Sequence, residues 1–296
     1  MEISKTISLN IDSTLDGKTI KTIIRNHLGI SSAIMTKLKK YPDGILVCGI
    51  RQNVNKVLKS GDILTLNIRD TTSKNIKPVK IPLDILYEDD EIVVVNKPRN
   101  MPTHPSQNHH NDTLANGIAY LYREKGFTFR PITRLDRDTS GIVIIAKNQL
   151  SASVLSKQMQ TFKIQKQYIA VCHGIFDIKQ GIIDAPIARV EGSGILRQVA
   201  PWGKQAITEY QVIEENNDFS LVKLNPKTGR THQLRVHLSH IGHSIYGDDM
   251  YGSKVKNAST LLHCQKICFC HPQTNERMEI CAPVPDDMKN IMCNFD

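Results

Sequence analysis

No stretch of this 296-residue chain approaches the ~20 consecutive apolar residues that a membrane-spanning helix needs. The first ten residues carry polar side chains at every second or third position and lack the basic-then-apolar pattern of an export signal. A cytoplasmic protein with no membrane role is therefore expected. The seven cysteines are odd in number and scattered, and no pair has the C-x2-C spacing of structural zinc sites. Without an export signal they read as reduced thiols rather than a disulfide framework. Cys264, Cys268, Cys270, His271 and Cys281 do fall close together. The missing spacing favours Cys268 and Cys270 as alternate residues on one strand face, packed as small hydrophobes, over a zinc site. The string Pro226–Thr231 (PKTGRT) lacks the first glycine and the G-K-[ST] ending of a P-loop. His232, His237, His240 and His243 cluster but lack the H-E-x-x-H arrangement of metal hydrolases, so loop hydrogen bonding and packing are expected of them. Internal repeats and low-complexity tracts are absent as well.

What is present is an ordinary apolar fraction, 40%, enough for a packed core. The length suits about two domains. The net charge of +9 is unevenly spread. Residues 1–80 carry 14 Lys and Arg against 6 Asp and Glu, whereas the remaining 216 residues carry 24 against 23. A surplus confined to one end is the footprint of a polyanion such as RNA, or of an anionic membrane surface.

Residues 15–70 read as a small unit. Ile20, Ile23, Ile24 and Leu28 are spaced for a helix, and Ser31 or Ser32 can cap a second one running to Lys40. Tyr41-Pro42-Asp43-Gly44 makes a turn, a hairpin pattern follows around Cys48-Gly49, and Ile63–Ile68 alternates as a strand. The stretch GILVCGIRQNVNKVLKSGDILTLNI resembles the second half of the S-four RNA-binding module. The first half resembles it more loosely, since the arginine usual at the start of the second helix is missing beside Ser31 and Ser32. Lys37, Lys39 and Lys40 lie close on that helix and can meet phosphates, contacts that position a nucleic acid without reading its sequence. The expected organisation is an S-four-like RNA-binding domain over 1–73, a polar linker over 74–83, and a larger domain over 84–296.

In the larger part, Glu91–Asn96, Gly141–Ala146, Tyr168–Val171 and Phe219–Leu224 are β-branched or aromatic runs bounded by turn signals. Thr113–Tyr122 and Gln149–Gln160 have helical spacing. Many strands and few helices predict an α+β fold on a mainly antiparallel sheet. The segment Pro131–Asn148 concentrates chemistry, with Arg134, Asp136, Arg137 and Asp138 crowded just before Thr139-Ser140-Gly141 and a buried strand. Opposite charge nearby keeps a carboxylate ionised, the state a nucleophile or general base needs. Asp136 and Asp138 could equally stabilise a turn through side-chain hydrogen bonds.

The string RLDRDTSGIVIIAKN resembles the signature H-R-L-D-x-x-T-S-G-L of RluA/RluD-type pseudouridine synthases. Further resemblances follow in the family's order: VVNKPRNMPTHPS from Val94, KQYIAVCHG from Lys166, GKQAITEYQVI from Gly203, KTGRTHQLRVHLSHIGHSIYGDDMYG from Lys227, and LLHCQKICFCHP from Leu261. The resemblance implies Asp136 as catalytic carboxylate and Tyr168 as a stacking or proton-handling tyrosine. It implies Arg235 as the arginine that pairs with the aspartate, and Arg134 as the arginine that holds the RNA opened. It implies a catalytic fold whose mainly antiparallel sheet carries a central cleft, with no cofactor and no metal. Departures fall at Thr133 (His in the family), Asn100 (Gly), Ser244 (Pro) and Tyr246 (Leu). Taken without the resemblance, Arg235 reads as a strand-surface arginine and Tyr168 as a half-buried strand tyrosine.

The implied reaction breaks the glycosidic bond of a uridine in RNA, turns the uracil and rejoins it through carbon five, after the base has left the stack. Asp136 either attacks the anomeric carbon, as in retaining glycosidases, or takes a sugar proton to give a glycal. Large-subunit ribosomal RNA is favoured over transfer RNA as substrate, with no protein partner required and a monomer as the default. A binding-only protein and a nucleoside hydrolase releasing free uracil are the competing readings.

Overall fold

The structure is a computed structural model that describes residues 3–70, 75–125, 127–255 and 258–293. The basic N-terminal segment runs through β1 (Ile3–Asn10), α1 (Ile20–Thr22), α2 (Ser32–Lys40), β2 (Ile45–Val47), β3 (Ile50–Arg51) and β4 (Ile63–Asp70). Its four strands form one antiparallel sheet in the order β1-β4-β2-β3. The first helix is shorter than its spacing suggests: α1 passes into a π turn at Ile23–His27. Ile20, Ile23 and Ile24 are nevertheless fully buried, together with Leu58, Leu64 and Leu66, in a core of this segment's own. Ser31 caps α2 by accepting the Ile34 N–H at 3.3 Å, satisfying one of the donors a helix start leaves free.

The second unit continues through β5 (Asp84–Glu88), β6 (Ile92–Lys97), α3 (Leu114–Leu121), β7 (Arg130–Pro131), β8 (Ser140–Ala146), α4 (Gln149–Gln160), β9 (Gln165–His173) and β10 (Gln180–Asp184). Then come β11 (Ile187–Arg189), β12 (Arg197–Val199), β13 (Ile207–Glu215), β14 (Phe219–Pro226), α5 (Gln233–His240), β15 (Leu262–Cys270), β16 (Arg277–Cys281) and α6 (Asp286–Cys293). Ten strands form one sheet in the order β10-β13-β14-β9-β15-β8-β6-β5, with β16 on β15 and β7 on β8, and β11 pairs with β12 in a separate two-stranded sheet. Every pairing is antiparallel except β15 with β8. This is the α+β fold on a mainly antiparallel sheet that the strand-rich pattern predicts. Helix α4 spans the Gln149–Gln160 of its apolar spacing, with Asn148 capping it through the Ser151 N–H at 2.9 Å. Among the described residues no helix is long and apolar enough to cross a membrane.

The parallel pair at the middle of the sheet explains Gly141. Its φ is +112°, and a Cβ there would lie 2.3 Å from the Cys264 carbonyl oxygen on β15. Only glycine permits both that backbone and that approach. The glycine therefore serves strand packing as well as the turn that precedes it.

The two units touch. Asp70, buried at the end of β4, pairs with Arg130 at 2.5 Å and accepts the Gln149 N–H, at the start of α4, at 2.9 Å. Ser31 N–H donates to Ser153 Oγ at 2.9 Å, and Lys5 pairs with Glu91. The expected boundary at 73/74 lies outside the described residues. Of the expected linker, residues 75–83 form no helix or strand but are pinned to α3: Val79 N–H donates to the Asn116 carbonyl at 3.2 Å and Asn116 Nδ2 to the Lys77 carbonyl at 2.8 Å.

One local expectation needs correction. Arg235 is not on a strand but on α5, whose buried face takes in Leu234, Arg235, Val236, His237 and Leu238. The strand-surface reading of Arg235 failed because a helix buried on most sides shows no clean stripe. The cysteine cluster is dispersed by the sheet: Cys268 and Cys270 are alternate residues of β15, Cys264 faces Tyr168, and His271 pairs with Asp89 at 2.8 Å.

Candidate active site

Asp136 sits in the loop between β7 and β8, and that loop is tied on three sides. Thr103 Oγ1 donates to the Leu135 carbonyl at 2.9 Å and accepts the Leu135 N–H at 3.4 Å. The Asp136 carbonyl accepts the Thr139 N–H at 3.2 Å, closing a turn. Lys97, fully buried at the end of β6, donates to the Arg137 carbonyl at 3.1 Å and to the carbonyls of Pro98 and Met101, each at 2.8 Å. Burial pushes the Lys97 ammonium down to about 7, against the pull of the Asp136 and Asp138 charges. Three carbonyl acceptors take up the three N–H donors of the ammonium, hydrogen bonds that offset part of the cost of burying it.

The loop opens on a cleft of about 340 Å³. Arg134, Asp136, Lys166, Tyr168, Arg230, His232 and Arg235 line it, and Asp136 is the one carboxylate among its lining residues. Four cations around one carboxylate fit a substrate that carries phosphate. Gln233 fixes the 228–233 wall: its carbonyl accepts from Thr228 Oγ1 at 2.8 Å and Arg230 N–H at 3.0 Å, and its amide donates to the Ile207 carbonyl and Thr208 Oγ1, each at 3.0 Å.

Asp136, Tyr168, Arg235 and Arg134 thus share one cleft. Arg235 Nη1 is 4.0 Å from Asp136 Oδ2. Its principal partner is a different carboxylate, Asp248, fully buried and held bidentately at 2.7 and 2.6 Å. Burial alone would lower Arg235, but its hydrogen bonds and the Asp248 charge outweigh that and hold it above the ordinary value. Tyr168 is buried on β9 beside Cys264, and burial raises its hydroxyl well above the ordinary tyrosine value, with the Cys264 thiol and the Asp136 charge adding to it. It is a neutral phenol at physiological pH. Arg134 is exposed and has no carboxylate partner among the described residues. Arg137 pairs with Asp138 at 2.8 Å rather than with Asp136. Lys37, Lys39 and Lys40 are exposed on α2, outside the cleft, with no carboxylate partner among the described residues.

Residues that sequence reasoning passed over complete the site. His232, expected only to hydrogen-bond and pack within a loop, points Nε2 at Asp136 Oδ2 from 3.9 Å, while His237 and His243 do pack and bond within the fold. Lys166 lines the cleft with its ammonium pushed down by burial. Asp248 lies 13 positions from its arginine, and no local spacing announces such a pair. Among the described residues no group of three or more His, Cys, Asp or Glu could hold a metal ion.

The four departures from the family signature have physical accounts. Asn100 stands at φ 58°, the left-handed region that asparagine tolerates in place of glycine. Thr133 is buried, lines the cleft and accepts the Ile144 N–H of β8 at 3.0 Å. Ser244 Oγ donates to the Gly252 carbonyl at 2.9 Å, and Tyr246 packs against His173 and Phe219. Only Thr133 of the four borders the cleft.

Comparison with known proteins adds to this geometry. A family model described as RNA pseudouridylate synthase matches residues 91–240. The chain is 39% identical over 270 residues, 90% of its length and 95% of the relative's, to an uncharacterized RNA pseudouridine synthase of Bacillus subtilis. It is 36% identical to the ribosomal large subunit pseudouridine synthase D of Haemophilus influenzae, over 80% of this chain and 78% of that one. Among solved structures, human RNA pseudouridylate synthase domain containing 1 superposes with a TM-score of 0.59 at 28% identity, covering 68% of this chain and 83% of that one.

Proposed function

The chain belongs to the RNA pseudouridylate synthase family, of the RluA/RluD type, and we propose that it isomerises uridine in large-subunit ribosomal RNA with Asp136 as the catalytic carboxylate. The family makes it an isomerase acting on RNA. The observation that carries the finer reading is the isolation of Asp136: one carboxylate in a cationic cleft, on a loop tied by Thr103 and Lys97, with two donors converging on one of its oxygens. The ribosomal substrate is drawn from relatives whose names specify the large ribosomal subunit.

The chemistry then runs as follows. The target uridine leaves its stack, and Arg134, exposed at the rim, occupies the vacated space or contacts phosphate. The ionised Asp136 attacks C1′ or removes a sugar proton, and the N1–C1′ bond breaks with its electron pair going to the uracil. Tyr168, a neutral phenol, offers the uracil a stacking face and a hydrogen-bond donor. The base turns and C5 bonds to C1′, which breaks the Asp136–C1′ bond or, in the glycal route, returns the proton held by Asp136 to the sugar; the C5 proton then leaves and N1 takes up a proton. Asp136, the carboxylate of the cleft, is the base at hand for the C5 proton once its bond to the sugar has broken. Arg235 acts from its pair with Asp248, adding positive charge beside Asp136. No step draws on a cofactor. Residues 1–73 serve as the RNA-gripping domain, with Lys37, Lys39 and Lys40 on phosphates, and the chain works as a cytoplasmic monomer.

The test is tritium release from ribosomal RNA labelled at uracil C5, with wild type and Asp136→Asn compared. Wild type should release tritium without free uracil. The near-isosteric variant should bind RNA and melt as wild type does, with turnover abolished. Free uracil would mark a hydrolase, and full activity in the variant would overturn the role given to Asp136.

A further inference from the structure

We propose that His232 is a positioning residue for Asp136, held as a neutral imidazole with its proton on Nε2 by a hydrogen-bond chain that starts at the β11–β12 hairpin. The proposal rests on Asp136 being the catalytic carboxylate.

The chain can be followed donor by donor. The Arg197 backbone N–H can only donate, and it donates to the Tyr251 hydroxyl oxygen at 3.1 Å. Tyr251 is buried, and burial raises its hydroxyl above the ordinary value, so it keeps its proton. A buried phenol O–H requires an acceptor. Among the described residues its remaining partner is His232 Nδ1, at 2.7 Å. Nδ1 therefore accepts. In a neutral imidazole the proton then sits on Nε2, the nitrogen that faces Asp136 Oδ2 from 3.9 Å.

Arg235 Nη1 approaches the same oxygen, from 4.0 Å. A closure of about one ångström turns both into hydrogen bonds, the tightening that catalytic contacts undergo when substrate is bound. One oxygen of Asp136 is thus addressed by two donors from α5 and its cap, and the other is left to the sugar.

The charge balance favours the neutral ring. Burial disfavours imidazolium first, Asp136 opposes that, and Arg235 and Arg197 reinforce it. Asp248 favours imidazolium too, but it is engaged by Arg235. The net direction is downward from the ordinary histidine value. The backbone supports a built arrangement as well. His232 lies at φ 56°, ψ 20°, a left-handed conformation costly for a side chain with a Cβ, yet no side-chain cap is gained by it. Such strain persists only where the surroundings impose it. Tyr251 meanwhile presents its ring to the Arg235 guanidinium at 5.0 Å, so its hydroxyl and its ring serve separate contacts.

The experiment uses the whole protein and three variants. Tyr251→Phe keeps the ring under Arg235 and removes only the hydroxyl. His232→Asn keeps a donor and tolerates the left-handed backbone. Asp136→Asn is the control for the premise. Histidine-selective ¹⁵N spectra of wild type should show His232 with Nδ1 unprotonated, and Tyr251→Phe should mix the two tautomers. Steady-state tritium release from pH 5 to 9 should show Tyr251→Phe with kcat lowered about tenfold, KM within about twofold of wild type, and a displaced acid limb; His232→Asn should lose more. A protonated Nδ1 in the wild type would overturn the proposal without any variant. So would a Tyr251→Phe enzyme with the wild-type kcat and pH profile beside an inactive Asp136→Asn. Turnover by Asp136→Asn would instead remove the premise, and the tautomer spectra would distinguish that failure from a failure of the chain.

Discussion

Lys97 ties two loops together under the cleft, and replacing it by methionine separates catalysis from stability. The side chain is fully buried and its ammonium donates to the carbonyls of Pro98, Met101 and Arg137. Hydrogen bonds from a charged donor contribute roughly 1.5–3 kcal/mol each, so three amount to about 4–9 kcal/mol. Against them stands the cost of keeping a cation out of water. Net of the attraction of Asp136 and Asp138, the drop of the Lys97 pKa from 10.5 to about 7 corresponds to roughly 5 kcal/mol. The net loss in Lys97→Met is then between nothing and about 4 kcal/mol, because an apolar chain of similar length recovers the desolvation. Turnover responds more steeply. The Arg137 carbonyl, one residue after the carboxylate proposed as catalytic, is released, and a displacement on the order of 1 Å in such a group costs about 100-fold.

The pH dependence follows from the direction of the shift. Above pH 7 the folded state has begun to lose the Lys97 proton while the unfolded chain still holds it, so the unfolded state binds more protons and stability rises with pH. Between pH 7 and 9 wild type should gain about 2 kcal/mol relative to Lys97→Met. The assays are urea unfolding at both pH values and single-turnover tritium release at one. A variant that keeps more than half of wild-type turnover, or that shows the same pH slope of stability as wild type, would refute the reasoning.

Two further outcomes can be checked directly. Gly141→Ala sets a Cβ against the β15 backbone at a φ of +112°, and strain plus overpacking should cost about 3 kcal/mol or more, seen as a melting temperature lower by about 6 °C or more. Replacing Lys37, Lys39 and Lys40 together by Gln removes three exposed cations from α2. RNA affinity should then fall, and the slope of log affinity against log salt should become shallower by about 2, with kcat at saturating RNA unchanged. An unaltered salt slope would place the phosphate contacts elsewhere.

Much of the fold was legible because its signals are local. Helix α4 carries its cap at Asn148 and its apolar spacing within one stretch, so Gln149–Gln160 could be read directly. Strand β8 is a continuous apolar run because both its faces are buried, and the whole strand reads as buried. The short strands β10, β11 and β12 were not anticipated; they are three to five residues long and partly exposed, too short for alternation to stand out. Helix α5 was hidden by burial on several sides, which removes the stripe that marks a surface helix.

By itself the sequence determined the family, the α+β class, the charge asymmetry and the candidate carboxylate, since all of these rest on composition, periodicity and ordered motifs. Beyond Arg235, which the ordered motifs already set beside it, the surroundings of that carboxylate were decided only by the tertiary structure. Arg235 turns to Asp248 from a helix, Tyr251 reaches His232 from a turn, Arg197 donates from a hairpin, and Lys97 reaches Arg137 from a strand end. Hydrogen bonds and ion pairs depend on distances of a few ångströms in space, and segments 40 to 54 residues apart meet at those distances through the fold alone. The protonation state of His232 is the furthest case: it belongs to a chain of three side chains and one backbone amide, and no one of them encodes it.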